Sequence, residues 1–343
     1  MYQTLSITRQ PPFRPTPEST PRVMRTTLAM LLLPALAGWA FFGVRALELM
    51  LLGLATALLT ELLLMSLRQE KTSGGLSHSA VMGLLLAFTL PASCPAYLAV
   101  LGAAVAVLLG KQVFGGMGHY LWHPALVGRL ILQVFFSQHL SGTAGPLLDR
   151  EHLFWGDIFR CQAADWHNFN WFKQLAPAGM DGFLLPDPLE QLWHAANISA
   201  GGEFQFNQFI AEKLPSLPQI FLGAAPGGLG ATCVALIILV GLYAIYRGYI
   251  SWQLPFFFLL AAYVTAAACP IFLNQGLPDE KLIFPVLAQG PAVGFTWLNL
   301  QILSGALPLG AFIFSLDMTS RPLTRRGQAL FGIGAGSLAV LFR

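Results

Sequence analysis

Long apolar runs separated by short polar turns dominate the chain. A membrane-spanning helix needs about 20 predominantly apolar residues, and nine stretches reach or approach this length: residues 27–44, 46–66, 78–93, 97–113, 124–140, 229–246, 253–271, 296–316 and 327–342. The run from Ile283 to Leu316 is interrupted, among other positions, at Pro291, Gly294, Gly305 and Pro308. The pattern predicts nine full crossings. If this run holds two shorter helices instead of one, the number becomes ten.

The composition restricts the class of protein further. Charged residues make up 10% of the 343 positions and hydrophobic residues 55%, whereas a soluble domain carries roughly 25% charged residues. Most of the chain must therefore face lipid. The 4 Cys form no CxxC pair that would indicate a disulfide framework or haem attachment. The prediction is an all-α polytopic membrane protein.

The distribution of charge predicts the topology, because Lys and Arg of short loops stay in the cytoplasm. With the N-terminus inside, eleven basic residues fall on inner segments: Arg9, Arg14, Arg22, Arg25, Arg68, Lys71, Lys111, Arg247, Arg321, Arg325 and Arg326. The predicted organisation is a cytoplasmic leader (1–26), a first membrane half (27–140), an extracytoplasmic insert (141–217) and a second membrane half (218–343). The aromatic-rich insert is expected to cap the bundle or to dock on a partner subunit.

Each membrane half contains an apolar segment with Gly and Pro interruptions. These segments are Gly83–Pro91 and Leu307–Ser315. Paired broken helices in corresponding halves are typical of an inverted-repeat membrane fold with a site near the midplane. We therefore expect an inverted repeat with broken helices.

The most distinctive stretch is GKQVFGGMGHYLWHPALVGR, from Gly110 to Arg129. Its glycines at 115, 116 and 118 allow a backbone to approach a flat ligand or another helix, and Pro124 is placed to open the following helix. On local chemistry alone, the favoured interpretation is a short cytoplasmic turn with a Gly-rich bend.

Four ordered blocks of the chain resemble a known family. The Gly110–Arg129 stretch resembles the segment G-G-x-G-x-N-x-F-N-P-A-x-x-G of the family that includes the D subunit of Rnf-type electron transport complexes and the B subunit of the sodium-translocating NADH:quinone reductase. The other three blocks, also similar to family segments, are SAVMGLLLAFTLP (79–91), FLGAAPGGLGAT (221–232) and the terminal LSGALPLGAFIFSLDMTSRPLT with its following helix (303–343).

The resemblance implies an inner-membrane subunit of a bacterial complex that relays electrons through FMN and couples them to Na⁺ or H⁺ movement. Its partners would be the other subunits of that complex and the lipid bilayer. The positions that the resemblance assigns to the cofactor region are Gly116, Gly118, Tyr120, His123, Pro124, Asp187, Asp317 and Thr319.

Several of these positions depart from the family pattern. The family attaches FMN through a phosphate ester to a Thr, and Asp187 stands at that position without a hydroxyl to form the ester. Thr143 is a fallback acceptor in a different local pattern. The paired Asn of the Gly-rich loop are Tyr120 and His123 here, and Ala231 replaces a Glu. Either the flavin is held differently or it is absent.

Glu61 is the candidate for an ion path, because a carboxylate within a span is costly and often functional. His119 and His123 are four residues apart, but they precede Pro124 and form no obvious metal site. Two other functions remain open. One is a cofactor-free scaffold or a solute or ion permease on the same fold, and the other is a quinone-binding anchor.

Overall fold

A computed structural model describes residues 20–68, 74–92, 94–140, 221–222, 228–273, 281–283 and 291–342. The leader up to residue 19 and the predicted insert at 141–217, which includes Thr143 and Asp187, lie outside the described residues. The helices in chain order are α1 (Thr20–Arg68), α2 (Gly74–Thr89), α3 (Ala96–Val107), α4 (Pro124–Phe135), α5 (Ser137–Leu140), α6 (Val234–Tyr246), α7 (Gln253–Ala268), α8 (Pro291–Leu303) and α9 (Arg325–Leu341).

α1 covers both of the first two predicted crossings. The chain changes direction inside it at Gly43, which has φ 66° and ψ −156°. Only glycine adopts this backbone region without strain, so Gly43 separates the two predicted spans at 27–44 and 46–66. By length and composition, α1 is the one helix of the described part that could cross a membrane, and the shorter apolar helices have 10–17 residues.

Small residues allow α1 and α2 to pack closely. A Cβ atom added at Gly53 would lie 3.0 Å from the carbonyl oxygen of Gly83. Such close approach of two backbones through glycine is the usual mode of helix association in membranes. In the same half, α3 contacts α1, α2 and α4.

Large apolar side chains cover the outer surface of the bundle as well as its core. Leu59, Leu63 and Leu130 are each more than half exposed, while Leu31, Leu49 and Leu98 are completely buried. Helices that are apolar all round are expected where the surrounding medium is lipid. The helical content and this apolar exterior agree with the predicted all-α membrane protein.

The second half contains the interrupted crossing that the sequence predicts between residues 283 and 316. α8 ends at Leu303, and the chain continues as a π-helical turn, Leu309–Ile313, and a 3₁₀ turn, Phe314–Leu316. The proposed counterpart in the first half differs, because α2 continues unbroken to Thr89. In that half the irregular turn follows α3, at Leu108–Gln112.

A short antiparallel strand pair is present that the apolar pattern does not predict. β1 (Ile271–Leu273) pairs with β2 (Lys281–Ile283), and Phe272 lies opposite Leu282. α7 packs against α9, and α8 also contacts α7. The pair is too short to change the helical class of the fold.

The two halves meet through backbone hydrogen bonds. The amides of Leu229 and Gly230 donate to the carbonyl oxygens of Leu90 and Phe88, at 3.0 and 3.2 Å. The segment before α6 therefore lies against the end of α2, where Pro91 terminates that helix. This contact joins the segment before α6 to the first half.

Candidate functional site

The Gly-rich turn between α3 and α4 is built on positive backbone angles. Gly115, Gly116 and Gly118 have φ of 106°, 92° and 92°, a region in which other residues are strained. A Cβ at Gly118 would meet nothing within 4 Å, so conformation rather than space requires glycine there. His123 then caps α4, and Pro124 occupies its first turn, as the sequence predicts.

The turn forms one wall of a cavity of about 560 Å³. This volume lies within the range of small-molecule and cofactor sites. The other walls come from α1, from the start of α2 and from the turn that follows the 3₁₀ segment. Five of the predicted site residues line it: Glu61, Gly116, Gly118, Asp317 and Thr319.

Asp317 organises the turn that carries it. One carboxylate oxygen accepts from the amide of Thr319 at 3.2 Å, and the other accepts from the hydroxyl of Ser320 at 3.0 Å. These short-range bonds are typical of an Asp that stabilises a turn. Asp317 is buried, so its charge contributes to the electrostatics of the cavity wall.

Tyr120 connects this turn to α2. Its hydroxyl donates to Oδ1 of Asp317 at 2.7 Å and lies 2.8 Å from Nε2 of His78. Because a phenol has a single proton, Nε2 of His78 must be the donor in the second contact. Burial and the Asp317 carboxylate raise the pKa of Tyr120, so the phenol stays protonated and keeps this arrangement.

His78 is a site residue that the sequence analysis does not single out. It lines the cavity and is completely buried, and within the described part of the chain its Nδ1 has no hydrogen-bond partner. With the proton on Nε2, Nδ1 is a free acceptor. Its position inside a predicted span is the signal that could have identified it, because ionisable residues within spans are rare.

His123 does not line the cavity. Its ring packs edge-on against Phe314 with 4.8 Å between centroids. Neither ring nitrogen has a partner among the residues that the structure describes. Burial lowers the pKa of His123 to about 4, against a smaller opposing effect of Asp317, so the imidazole is neutral at neutral pH.

Glu61 is not an isolated carboxylate. Its Oε1 accepts from the ammonium of Lys111 at 2.8 Å, and its Oε2 accepts from the side-chain amide of Gln112 at 2.8 Å. Lys111 belongs to the π-helical turn after α3 and is 1% exposed. From the sequence, Lys111 is assigned only to the basic residues of the inner segments, although it also lies within the predicted span 97–113.

Arg68 extends this network to the rim of the cavity. Its guanidinium donates to Oε1 of Gln112 at 2.8 Å and to the Gln112 carbonyl at 3.3 Å. α1 and the irregular turn are thus joined by a chain of charged and amide groups. Within the described ranges, no group of three or more His, Cys, Asp and Glu side chains converges on a metal position.

The sequence is similar to a family of known membrane proteins. A sequence profile of the NQR2, RnfD, RnfE family matches residues 7–343. The D subunit of an ion-translocating oxidoreductase complex of Cronobacter sakazakii is 31% identical over 346 residues, covering 97% of this chain and 88% of that protein.

Two further relatives carry names that specify an ion. The D subunit of the proton-translocating ferredoxin:NAD(+) oxidoreductase complex of Clostridium ljungdahlii is 27% identical, covering 95% of this chain and 82% of that protein. The D subunit of the Na(+)-translocating complex of the same type in Acetobacterium woodii is 27% identical, covering 99% of this chain and 85% of that protein.

Proposed function

The chain belongs to the NQR2, RnfD, RnfE family, and from this membership we propose that it is a membrane subunit of an ion-translocating electron transport complex. In that complex it relays electrons and couples them to the movement of Na⁺ or H⁺. Its partners are the other subunits of the complex and the lipid bilayer. It carries no complete catalytic cycle alone.

The observation that carries the proposal is the cavity between the Gly-rich turn and the Asp317 turn. These two turns come from separate blocks of the family pattern, nearly 200 residues apart, and they line one space. A cavity with bare glycine backbone on one wall and polar groups on another is suited to a flat, polar ring. The cofactor proposed for it is a flavin, in line with the FMN of the family.

The residues present fit a flavin that is held without a covalent bond. His78 offers an unpartnered buried acceptor, and Thr319 and Arg68 offer polar groups at the cavity wall. Asp187, at the family's attachment position, lacks the hydroxyl that an ester requires. When bound, a flavin supplies the electron-carrying ring, while the protein excludes lipid and orients the ring.

The protonation states of the site residues bear on how electrons and ions are coupled. Tyr120 holds Asp317 by a hydrogen bond, and the Lys111 ammonium neutralises Glu61. Glu61 is the proposed ion-path residue, because it lies at the edge of the cavity and inside the bundle. A charge change in the cavity would act on both carboxylates through a low-dielectric interior.

Absorption and gel fluorescence together test the flavin. We expect the purified protein to absorb between about 350 and 500 nm, and denaturation to release the flavin into the soluble fraction. A fluorescent band on a denaturing gel would contradict noncovalent binding. The variant Gly116→Val should lose absorbance, because a β-branched residue is strained at φ 92°, whereas Gly334→Ala, with open space around it, should retain it.

The second candidate is a cofactor-free scaffold or a solute or ion permease on the same fold. The replacements at Asp187, Tyr120 and His123 favour it, because all three alter positions of the flavin pattern. It predicts purified protein without visible absorbance that permits solute flux in liposomes. A quinone-binding anchor is distinguished by quinone in an organic extract of the purified protein.

The proposed location is the bacterial inner membrane, with a cytoplasmic N-terminus. Thr20, Arg68, Gly118 and Thr319 line the same cavity, so the start of α1, its end, the Gly-rich turn and the Asp317 turn lie at one end of the bundle. These are the segments that carry most of the basic residues. Their common location supports the orientation inferred from charge.

A further inference from the structure

The ammonium of Lys111 sits in a cage of oxygen atoms. It donates to Oε1 of Glu61 at 2.8 Å, to the hydroxyl of Ser79 at 2.9 Å and to the carbonyl oxygen of Gly75 at 3.1 Å. A carboxylate, a hydroxyl and a backbone carbonyl therefore converge on one point. Hard cations such as those of the alkali and alkaline-earth metals prefer this type of donor.

Three separate elements of the fold contribute the residues of the cage. Glu61 comes from α1, Gly75 and Ser79 come from the first turns of α2, and Lys111 reaches in from the π-helical turn. A Cβ at Gly75 would lie 2.6 Å from Oε1 of Glu61 and 3.7 Å from the Lys111 nitrogen. Only glycine therefore lets its carbonyl oxygen and the carboxylate share this small space.

The charge of the cage suits one monovalent cation. Among the residues that the structure describes, Glu61 is the single carboxylate that contacts the ammonium, and its second oxygen accepts from the Gln112 amide. Glu61 and Lys111 are 3% and 1% exposed. A buried carboxylate is strongly unfavourable without a positive partner, so a cation must occupy the cage whenever Glu61 is ionised.

The cage also has a route to the cavity. Glu61, Gly75 and Gln112 all line the 560 Å³ cavity, while Lys111 and Ser79 lie behind them. A small ion in the cavity can therefore reach the Glu61 carboxylate. The cavity also offers space into which the flexible lysine side chain can move.

We propose that this cage is a monovalent-cation site that the protein fills with its own ammonium group, and that Lys111 competes with Na⁺ or K⁺ for Glu61. The inference rests on the proposed role of Glu61 in ion movement. When the ion enters the cage, the Lys111 ammonium moves into the cavity with its charge unchanged. The three hydrogen bonds of the Lys111 ammonium to the cage are replaced by contacts of the ion with the same oxygen atoms. No covalent bond is broken, and the net charge of the site rises by that of the ion.

The first test uses the unmodified protein in detergent. An amine-acetylating reagent is applied at increasing NaCl or KCl, with choline chloride keeping the ionic strength constant, and acetylation of Lys111 is quantified by mass spectrometry. We expect acetylation of Lys111 to rise with Na⁺ or K⁺ and not with choline, because displacement brings the amine into the cavity. Acetylation that stays constant with both ions overturns the proposal.

The second test removes the tethered cation. Lys111→Met leaves the oxygen cage without its ammonium, and it should bind ²²Na⁺ or ⁸⁶Rb⁺ at least about tenfold more tightly than the unmodified protein. Lys111→Ala serves the same purpose if the Met variant does not fold. In the double variant Glu61→Gln, Lys111→Met, the binding should disappear. Equal binding by the single and double variants overturns the proposal.

These measurements separate the inference from the proposed function. Neither test uses electron transfer, a flavin or partner subunits, so a protein without redox activity could still pass both. Conversely, a flavin-binding subunit with an inert Lys111 would fail both and leave the proposed function intact.

Discussion

At the residue scale, Tyr120 joins segments that are far apart in the chain. Its hydroxyl lies between His78 on α2 and Asp317 in the second half. In the sequence, Tyr120 stands out only as a departure from the family's Asn. Its two partners could not be inferred, because the contact with Asp317 spans 197 positions and depends on how the halves pack.

Replacing Tyr120 with Phe tests how much these two hydrogen bonds contribute to the stability of the protein. The variant keeps the ring but leaves His78 Nε2 unpaired and removes one bond from Asp317, so we expect a loss of about 1–3 kcal/mol in stability. Thermal unfolding in detergent measures it. Tyr246→Phe is the matched control, because Tyr246 is 85% exposed. Identical melting temperatures for the two variants would show that the connection contributes nothing.

The burial of His123 leads to a specific dependence of stability on pH. Its pKa falls from 6.5 to about 4 on folding because of burial, so the unfolded chain binds more protons between these values. Stability should therefore be unaffected by this group above pH 6.5 and should decrease as the pH falls towards 4, by about 3 kcal/mol in total.

The pH dependence of the melting temperature checks this expectation. His123→Asn, which introduces the residue of the family pattern, should flatten the curve between pH 6.5 and 4. Other titrating groups will leave a residual slope. His119→Asn, at an exposed imidazole of the same turn, is the matched control. A wild-type slope in His123→Asn would refute the assignment.

At the element scale, the apolar runs predict the helices well and their ends less well. The run 124–140 ends early, because α4 stops at Phe135 and only the four-residue α5 follows. The prolines and glycines of the sequence indicate the broken crossing after α8. They do not indicate the π-helical turn after α3, because that turn contains no proline and its one glycine, Gly110, lies within an apolar run.

The kink at Gly43 predicts the stability of a variant at the scale of a single helix. Its φ of 66° and ψ of −156° should make Gly43→Ala unfavourable by about 1–3 kcal/mol. The control Gly334→Ala, in open space on α9, should leave stability unchanged or slightly higher. Chemical denaturation in mixed micelles can compare the two. Equal stabilities would mean that the α1 crossings are not separated at Gly43.

At the scale of the whole molecule, the topology can be tested at the two ends of α9. Leu323 precedes this helix and Phe342 follows it, and both are about nine-tenths exposed. In a background without native cysteines, an impermeant maleimide should label Phe342→Cys in intact spheroplasts and Leu323→Cys only after disruption. Labelling of Leu323→Cys in intact spheroplasts would invert the proposed orientation.

The membrane class, the approximate positions of the helices and the importance of the Gly-rich turn all follow from the linear order of apolar, charged and glycine residues. These properties depend on local composition and on transfer into lipid, which act residue by residue. The family pattern also locates Asp317 and Thr319, because it is written in consecutive residues.

The partners of the buried charges depend on folding. Glu61 meets Lys111 and Gln112, and His78 meets Tyr120, across 42 to 51 positions of sequence. A charge inside a membrane protein must be paired, but many basic and polar residues could supply the partner. The packing of α1, α2 and the turn after α3 selects among them, because only close approach of those backbones brings these atoms within hydrogen-bonding distance.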